Sequence, residues 1–302
     1  MITVGITAYN AAATLPALLE SLLTQQYSLD RAEIIVADNG SCDGTAAIVR
    51  GYAERGPVRL VEAGRRHGPA VGRNAVIGTA VGDMIAFTDA DCIAHPRWLV
   101  EIEAGFASPK VGCVAGAILP TEPRTPTERC CARHRVLSQE VSLGHPFLPY
   151  AQTANAAFRR EVFERVGCFD EGLITFEDGD LAWRMQLNTD YILCYRPQAI
   201  VWHKHRSGWL ALLRQSTGWG IGQALVYKKY PGRIRREPIG KLLWDYRRIV
   251  SLAALSLRRL AAAKLGGSDP ELLYDAFFSL LVCLGIRLGR WRGSLSARVF
   301  YP

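Results

Sequence analysis

The sequence lacks the patterns that mark several specialised classes of protein. Its eight cysteines form no CxxC pair and no His/Cys spacing that suits zinc, so we predict reduced thiols in a cytosolic protein. The residues from Met1 to Thr7 contain no positively charged segment followed by an apolar stretch of signal-peptide length, which argues against export. The uncharged run from Ala276 to Ile286 has 11 residues, fewer than the roughly 20 that a helix needs to cross a bilayer. We therefore predict no membrane-spanning helix.

The composition is that of a folded globular chain. Of 302 residues, 49% are hydrophobic and 21% are charged, which excludes a disordered or collagen-like protein. The charge is unevenly distributed, because residues 1–195 contain 17 Lys and Arg against 23 Asp and Glu, whereas residues 196–302 contain 19 against 5. We therefore predict two parts, 1–205 and 206–302, that meet different partners.

Short apolar runs alternate with segments of helical periodicity along the first part. The predicted strands are Ile2 to Thr7, Glu33 to Ala37, Val58 to Glu62 and Met84 to Thr88, and the predicted helices between them cover about 14–26, 43–55 and 68–79. This alternation predicts an α/β fold with a Rossmann-like, mostly parallel sheet flanked by helices. Ligands of such sheets bind beyond the carboxyl ends of the strands.

Acidic residues follow one of these strands. Asp89 and Asp91 are two residues apart, so they point to the same side, where one carboxylate can bind a divalent cation and the other a sugar hydroxyl. An isolated pair of this kind is more often an exposed turn with helix-capping aspartates. Its position between a predicted strand and a predicted helix favours the binding site.

Two further groups lie at the same predicted edge. Asp38 ends a strand and is followed by a tight turn containing Gly40, which can bind a nucleobase or simply cap the next helix. Arg73 and Asn74, near a helix start, can reach a diphosphate or ribose, or form a solvated helix end.

Taken together, these motifs resemble the inverting nucleotide-sugar glycosyltransferases of family 2, which have the GT-A fold. The resembling segments, in order, are Val4 to Asn10, Glu33 to Thr45, Gly72 to Asn74, Phe87 to Asp91, Asn155 to Arg159, Gly167 to Glu171 and Phe176 to Arg184. They extend over about residues 2–205. The resemblance therefore implies a GT-A catalytic domain over 1–205, with a nucleotide-binding half (1–118) and an acceptor-binding half (119–205).

The resemblance implies roles for single residues. A nucleotide-diphospho-sugar donor would be bound by Ala8, Tyr9, Asn10, Asp38, Gly40, Arg73, Asn74 and Asp89, with Asp38 on the base and Asp89 on the ribose or sugar. Asp91 would hold Mg²⁺ or Mn²⁺, with His203 as a further ligand unless that histidine is structural. Asp178 would be the general base for a hydroxyl acceptor, and Asn155, Glu177, Asp180 and Arg184 would contact the acceptor. Glu177 and Asp180 are alternatively groups that orient Asp178, or candidates for the second carboxylate of a retaining enzyme.

The sequence departs from some relatives in having Asn39 where many have Asp and Cys42 where many have Thr. The Gln-x-x-Arg-Trp motif of processive synthases is not present, so we expect transfer of a single sugar, in polysaccharide, glycolipid or cell-envelope glycan synthesis. Two alternatives stay open. A sugar-phosphate nucleotidyltransferase has a similar sheet but normally an Arg-containing, Gly-rich N-terminal loop, and an inactive nucleotide-sugar or membrane-surface binding module would not need Asp178.

The basic second part has two interpretations. Residues Leu242 to Leu260 predict an amphipathic helix with an apolar arc opposite a basic one. The basic residues of this region are Arg233, Arg235, Arg236, Arg247, Arg248, Arg258 and Arg259. They form either a solvated face packed on the catalytic domain or a surface that binds the anionic inner leaflet, where a lipid-linked acceptor would be presented. No motif indicates nucleic-acid binding.

Overall fold

The computed structural model describes residues 1–64, 68–234, 238–265 and 269–301. Arg235 and Arg236 of the basic region lie outside these residues. The chain divides into two units, of which the first contains 1–121 and 137–204 and the second contains 122–136 and 205–302.

The first unit is built on an eight-stranded sheet in the order β3-β2-β1-β4-β7-β6-β8-β5. Its strands are β1 (Ile2–Ala8), β2 (Ala32–Asp38), β3 (Val58–Glu62), β4 (Met84–Asp89), β5 (Cys92–Ala94), β6 (Val111–Pro120), β7 (Asn155–Arg159) and β8 (Ile192–His203). Strands β1 to β4 are mutually parallel, β6 is parallel to β8, and β7 and β5 run antiparallel to their neighbours. The predicted α/β class is therefore confirmed, with two antiparallel strands added.

Helices cover both faces of this sheet. They are α1 (Leu15–Leu23), α2 (Thr45–Ala53), α3 (Pro69–Thr79), α4 (Trp98–Gly105), α6 (Gln139–Leu143), α7 (Arg160–Val166) and α8 (Glu177–Asn188), and a short 3₁₀ turn covers Leu29–Arg31. In β2, Ile34 belongs to the apolar cluster that contains the leucines of α1, whereas Ile35 belongs to the cluster that contains Val76 of α3 and Leu181 of α8. Successive strand residues thus face opposite cores, which explains why these strands read as continuous apolar runs.

The second unit is helical within the described residues. It contains α5 (Pro126–Arg133), α9 (Trp209–Lys229), α10 (Ile239–Lys264) and α11 (Pro270–Ala297). Although α5 is far from the others in sequence, its buried Cys130 and Cys131 pack with Leu212 and Phe278. Arg129 and Arg133 of α5 also form ion pairs with Glu271 of α11, at 2.8 and 2.7 Å.

Helices α9 and α11 approach each other through small residues. Gly285, Gly289 and Gly293 repeat every four residues on α11, so they lie on one face of that helix. A Cβ atom added to Gly289 would lie 2.0 Å from the carbonyl oxygen of Thr217, and one added to Gly220 on α9 would lie 2.1 Å from the carbonyl oxygen of Ile286. The two backbones are therefore too close for any side chain at these positions.

We expect Gly289→Ala to lower the free energy of unfolding by about 1–3 kcal/mol, because the added methyl group must push the two helices apart. Thermal unfolding followed by circular dichroism measures this effect. The matched control is Gly240→Ala on α10, where a new Cβ meets nothing within 4 Å and the better helix propensity of alanine is expected to be neutral or stabilising. Equal unfolding temperatures for the two variants would contradict the proposed close packing.

The surface of α10 differs from the prediction. The predicted apolar arc is only half-buried at Leu242 and Leu252, and Leu257 within it is 68% exposed. Other exposed apolar side chains of this helix are Leu243, Trp244 and Val250. Arg247, Arg248 and Arg258 are exposed as well. The solvent-facing surface of α10 thus carries apolar and basic side chains together, because the helix packs only one edge against its unit.

Helix α11 is longer than the uncharged run that the sequence singled out. Its 28 residues are, by length and composition, enough to cross a membrane. The prediction that this segment is too short was therefore wrong, since it counted only the uncharged residues. Within the unit, however, α11 contains the buried Arg287, which pairs with Asp245, and the buried Arg290, which donates to Gln223 at 2.7 Å. Buried, paired arginines are what a helix packed inside a protein requires.

Candidate active site

The loops after β1 and β2 are joined by hydrogen bonds. The Asp38 carboxylate, 7% exposed, accepts a hydrogen bond from the Ser41 hydroxyl at 2.5 Å. That hydroxyl accepts the Asn10 N–H at 2.9 Å, and the Asn10 amide oxygen accepts the Cys42 N–H, also at 2.9 Å. Asn10 has a left-handed backbone, with φ of 50°, a conformation that asparagine tolerates better than most residues. These bonds hold two of the predicted nucleotide-binding residues, Asn10 and Asp38, close to each other, and Tyr9 beside Asn10 is 41% exposed.

Arg73 on α3 lies between two acidic groups. Its guanidinium pairs with Glu177 and, at 3.4 Å, with Asp89, and it is 5% exposed. Burial alone would lower the pKa of Arg73, but the charges of Glu177, Asp89 and Asp178 outweigh burial and raise that pKa above its usual value. Arg73 is therefore a fixed cation that connects the end of β4 with the start of α8.

Asn74, the neighbour of Arg73, points to a different place. Its side chain donates to the Phe169 carbonyl at 3.0 Å and to Glu171 at 2.8 Å, and it accepts the Phe169 N–H at 2.9 Å. These bonds hold the loop after α7 against α3. Of the predicted Arg-Asn pair, only Arg73 contacts the acidic groups of the site.

Asp89, Asp91 and His203 meet at the end of β4. The His203 Nε2 atom lies 3.2 Å from Asp91 and 3.7 Å from Asp89, and the imidazole is almost fully buried. The three-residue strand β5, which the sequence did not predict, pairs antiparallel with β8 and sets Cys92 opposite His203. This pairing places the histidine beside the acidic pair, although the two lie more than a hundred residues apart in sequence.

The donor set here suits a divalent cation. Ligand atoms of Asp91, Cys92 and His203 lie within 4.8 Å of one another. Burial raises the pKa of the Cys92 thiol well above its usual value, and the charges of Asp89 and Asp91 add to this effect. The Cys92 Sγ atom donates to the Ala154 carbonyl oxygen at 3.9 Å, so the thiol already has a partner in the protein. The Asp91 carboxylate is the oxygen donor that Mn²⁺ or Mg²⁺ prefers, and the His203 imidazole is a further donor beside it.

Asp178 lies in the first turn of α8 and is half-buried. One carboxylate oxygen accepts the Gly179 N–H at 2.7 Å, and the other accepts the Thr153 N–H at 3.2 Å. Burial, together with the charge of Glu177, raises the pKa of Asp178 to about 7, against the opposing effects of Arg73 and the two N–H donors. A carboxylate that is fixed in place and titrates near neutral pH is suited to accept a proton.

Three residues with predicted acceptor contacts have internal partners. Asn155 is fully buried, donates to the carbonyls of Ala117 and Ala199 at 2.8 Å, and accepts from Trp98. Asp180 is also fully buried and accepts from Arg184 at 2.8 Å.

The rest of the Arg184 guanidinium binds the backbone where α7 ends, with Nη2 donating to the Cys168 carbonyl at 2.7 Å. These contacts hold the framework around α8 and leave Glu177 and Asp178 as the acidic groups of this run that face Arg73. Helix α8 itself begins at Glu177, so this acidic run lies in its first turn.

Sequence reasoning named Arg73 and Glu177 separately but missed the contacts that orient the site. The Thr153 N–H that fixes Asp178 and the Arg73–Glu177 pair join residues 25 and 104 positions apart. Neither is visible as a motif, because backbone donors and long-range ion pairs leave no local spacing signal.

The fold is that of GT-A glycosyltransferases. The mannosyltransferase PcManGT from Pyrobaculum calidifontis, solved in complex with GDP-Man and Mn²⁺, superimposes with a TM-score of 0.62 over 95% of this chain and 86% of that one, at 21% identity. Residues 1–349 of S. aureus TarS, solved with UDP-GlcNAc, superimpose with a TM-score of 0.55 over 100% of this chain and 93% of that one, at 16% identity.

Sequence comparison gives the family. The model of glycosyl transferase family 2 matches residues 3–167, more than half of the chain, and the chain belongs to this family. Glycosyltransferase AglE of Haloferax volcanii is 29% identical over 75% of this chain and 74% of its own length. The pre-mycofactocin glycosyltransferase of Mycobacterium tuberculosis is 30% identical over 68% of this chain, but only 44% of its own length is matched. The predicted family, fold and glycosyltransferase class are thereby confirmed, against the nucleotidyltransferase alternative.

Proposed function

We propose that this chain transfers one sugar from a nucleotide-diphospho-sugar to a hydroxyl acceptor with inversion at the anomeric carbon. The observation that carries this proposal is the position, at one edge of the sheet, of the Asp38 loop, the Asp91 and His203 pair, and the fixed carboxylate of Asp178. Solved GT-A neighbours are complexes with GDP-Man and UDP-GlcNAc, which supports a nucleotide sugar as donor.

In this mechanism Asp178 accepts the proton of the acceptor hydroxyl while the oxygen of that hydroxyl forms a bond to the anomeric carbon. The bond between that carbon and the diphosphate breaks, and its electron pair leaves with the nucleoside diphosphate. Asp91 and His203 would hold a divalent cation, which supplies positive charge to the leaving diphosphate when bound. Asp38 and Tyr9 bind the nucleoside, and Arg73 holds Asp89 and Glu177 in place through its ion pairs with both.

The ion-pair partners of Glu177 and Asp180 favour inversion over retention. A retaining double displacement needs a second carboxylate as nucleophile. Glu177 pairs with Arg73, and Asp180 is fully buried against Arg184. Asp178 is therefore the acidic residue of this run with an oxygen available to a substrate, and a single base supports direct displacement.

The donor class is tested by thermal shift and calorimetry with UDP, GDP, dTDP and CDP, each with and without Mn²⁺. We expect one nucleoside diphosphate to raise the unfolding temperature in a Mn²⁺-dependent manner, because binding to the folded state alone stabilises it by mass action. Absence of a response to all four nucleotides would instead favour a binding module that has lost its donor site.

We further propose that α10 holds the enzyme on an anionic membrane surface, on the cytosolic side. This proposal is supported by the exposed Trp244, Val250 and Leu257, which lie among the exposed Arg247 and Arg248. Apolar side chains enter the lipid interface while each nearby basic residue contributes about 1 kcal/mol of attraction to anionic lipid. All eight cysteines are free, as a reducing compartment requires.

Vesicle flotation tests this membrane proposal. We expect binding to phosphatidylglycerol-containing vesicles but not to pure phosphatidylcholine, and about 30-fold weaker binding for Arg247→Ala/Arg248→Ala, since two basic residues are lost. The control is Arg50→Ala/Arg55→Ala, which removes one exposed arginine from α2 and another that lies just after it. Equal loss of binding in both double variants would point to a general charge effect and contradict a specific role of α10.

A further inference from the structure

Five aromatic side chains cluster beside Asp178. This aromatic cluster consists of His145, Phe147, Tyr150, Phe176 and Trp183. Ring centroids lie 4.7 Å apart for Tyr150 and Phe176, 4.9 Å for Phe176 and Trp183, 4.8 Å for Phe147 and Trp183, and 5.0 Å for His145 and Trp183. Trp183 is fully buried, whereas the other four rings are half-buried. The cluster therefore has a closed base and an accessible side.

Phe176 is held in an unusual backbone conformation. Its φ of 71° lies in the left-handed region, which a bulky aromatic residue rarely adopts. A Cβ atom added to Gly179 would lie 2.3 Å from the Phe176 ring, so the ring lies directly against the first turn of α8, which also carries Asp178. Strained residues that the surrounding structure holds in place concentrate at functional sites. Phe176 thus forms one border of the space next to the base.

Tyr150 forms a second border. It lies three residues before Thr153, whose N–H fixes Asp178, and its ring packs on that of Phe176. The Tyr150 hydroxyl makes no hydrogen bond to the described residues. Burial, with a contribution from the Asp178 charge, raises the pKa of this phenol, so it stays protonated and can donate.

We propose that Tyr150 and Phe176 form the acceptor subsite and that the acceptor is a glycoside whose pyranose ring lies against these rings. This inference rests on the proposed function, because it takes Asp178 as the base. A pyranose has an apolar C–H face that packs on aromatic rings and a hydroxyl rim that can face Asp178 and the Tyr150 hydroxyl. A plain alkyl chain fits less well, because it would desolvate the carboxylates of Glu177 and Asp178 without hydrogen-bonding to them.

The test uses the nucleotide sugar that matches the nucleotide bound in the thermal-shift experiment. Acceptor probes are octyl pyranosides of the gluco, galacto, manno and N-acetylgluco series, with 1-octanol as the alkyl probe. We expect transfer to at least one octyl pyranoside and none to 1-octanol. For the accepted pyranoside, Tyr150→Ala is expected to raise KM about 10- to 100-fold through lost ring contact and a lost hydrogen bond. Tyr150→Phe should raise KM less, because it keeps the ring.

Nucleotide affinity distinguishes this role from a general structural one. Tyr150→Ala should bind the nucleoside diphosphate as the wild type does. The control is Tyr191→Ala, which lies just before β8, at the other end of that strand from His203. It should change neither the KM for the pyranoside nor the affinity for the nucleoside diphosphate. Transfer to 1-octanol, to no pyranoside, or a parallel loss of nucleotide affinity in Tyr150→Ala would each overturn the acceptor inference. Failure of the wild type to bind any nucleotide would overturn the proposed function itself, and this inference with it.

Discussion

Replacing Asp178 by asparagine is expected to lower kcat by about 10²- to 10⁴-fold, the usual contribution of a positioned general base. The amide has nearly the shape of the carboxylate, and its oxygen can still accept from one of the two backbone N–H groups, that of Gly179 or that of Thr153, but it can no longer take a proton. Nucleotide affinity should stay near that of the wild type. Asp190→Asn, at an exposed position after α8, is the matched control and should retain full activity.

The pH profile provides an independent measure of the same residue. The groups around Asp178 are Glu177, Arg73 and Tyr150, and burial with the Glu177 charge raises the pKa of Asp178 to about 7. Only the deprotonated carboxylate accepts a proton, so kcat/KM should fall about tenfold per pH unit below this value and level off above it. Glu177→Gln removes the like charge and should move the midpoint to lower pH. Full activity in Asp178→Asn would exclude Asp178 as the base, and an unchanged profile in Glu177→Gln would show that the Glu177 charge does not contribute to the pKa of Asp178.

Replacing Asp91 or His203 by alanine is expected to weaken Mn²⁺-dependent nucleotide binding more than about 100-fold. Loss of a residue that merely supports a ligand costs about 10- to 100-fold in metal affinity, so loss of a ligand itself should cost more. Calorimetry with the nucleotide selected by the wild type, before and after chelation with EDTA, measures this effect.

The control for this experiment is Asp83→Ala, at the opposite end of β4 from Asp91. Asp83 forms an exposed ion pair with the N-terminus at 3.0 Å, which contributes little to stability. The Asp83→Ala variant should bind metal and nucleotide as the wild type does. A wild-type nucleotide affinity that EDTA leaves unchanged would show that Asp91 and His203 do not act through a cation.

The sheet could be predicted because buried parallel strands leave a strong local signal. Strands β1, β2 and β4 are apolar runs with polar residues at their ends or directly after them, so both their positions and the edge carrying the site followed from the sequence. Strand β5 has only three residues and exists through its pairing with β8, for which no local pattern is available. The contact between His203 and Asp91 depends on this pairing. The sequence alone therefore could not decide whether His203 is a metal ligand or a structural residue.

Side-chain roles were harder to predict than side-chain positions. Asn155 and Asn74 occur in family motifs, yet in this fold their amides bind backbone carbonyls and N–H groups. A motif indicates that a residue type is needed at a position. It does not distinguish a residue that supports the fold from one that contacts the substrate. Phe176 and Trp183 of the aromatic cluster lie in one of the family segments, but no motif connects them with His145, Phe147 and Tyr150, which come from a separate segment.

Helix α5 has a consequence for the order in which the chain acquires its structure during synthesis. Its partners Glu271 and Asp275 follow Arg133 by 138 and 142 residues, so α5 leaves the ribosome long before the helix it pairs with exists. A capping box between Thr125 and Glu128 can begin the helix on its own. Until α11 is made, however, Cys130 and Cys131 have no apolar surface of that helix to pack on. A nascent chain that has completed the sheet therefore still exposes two thiols, and chaperone binding or oxidation at α5 would compete with completion of the second unit.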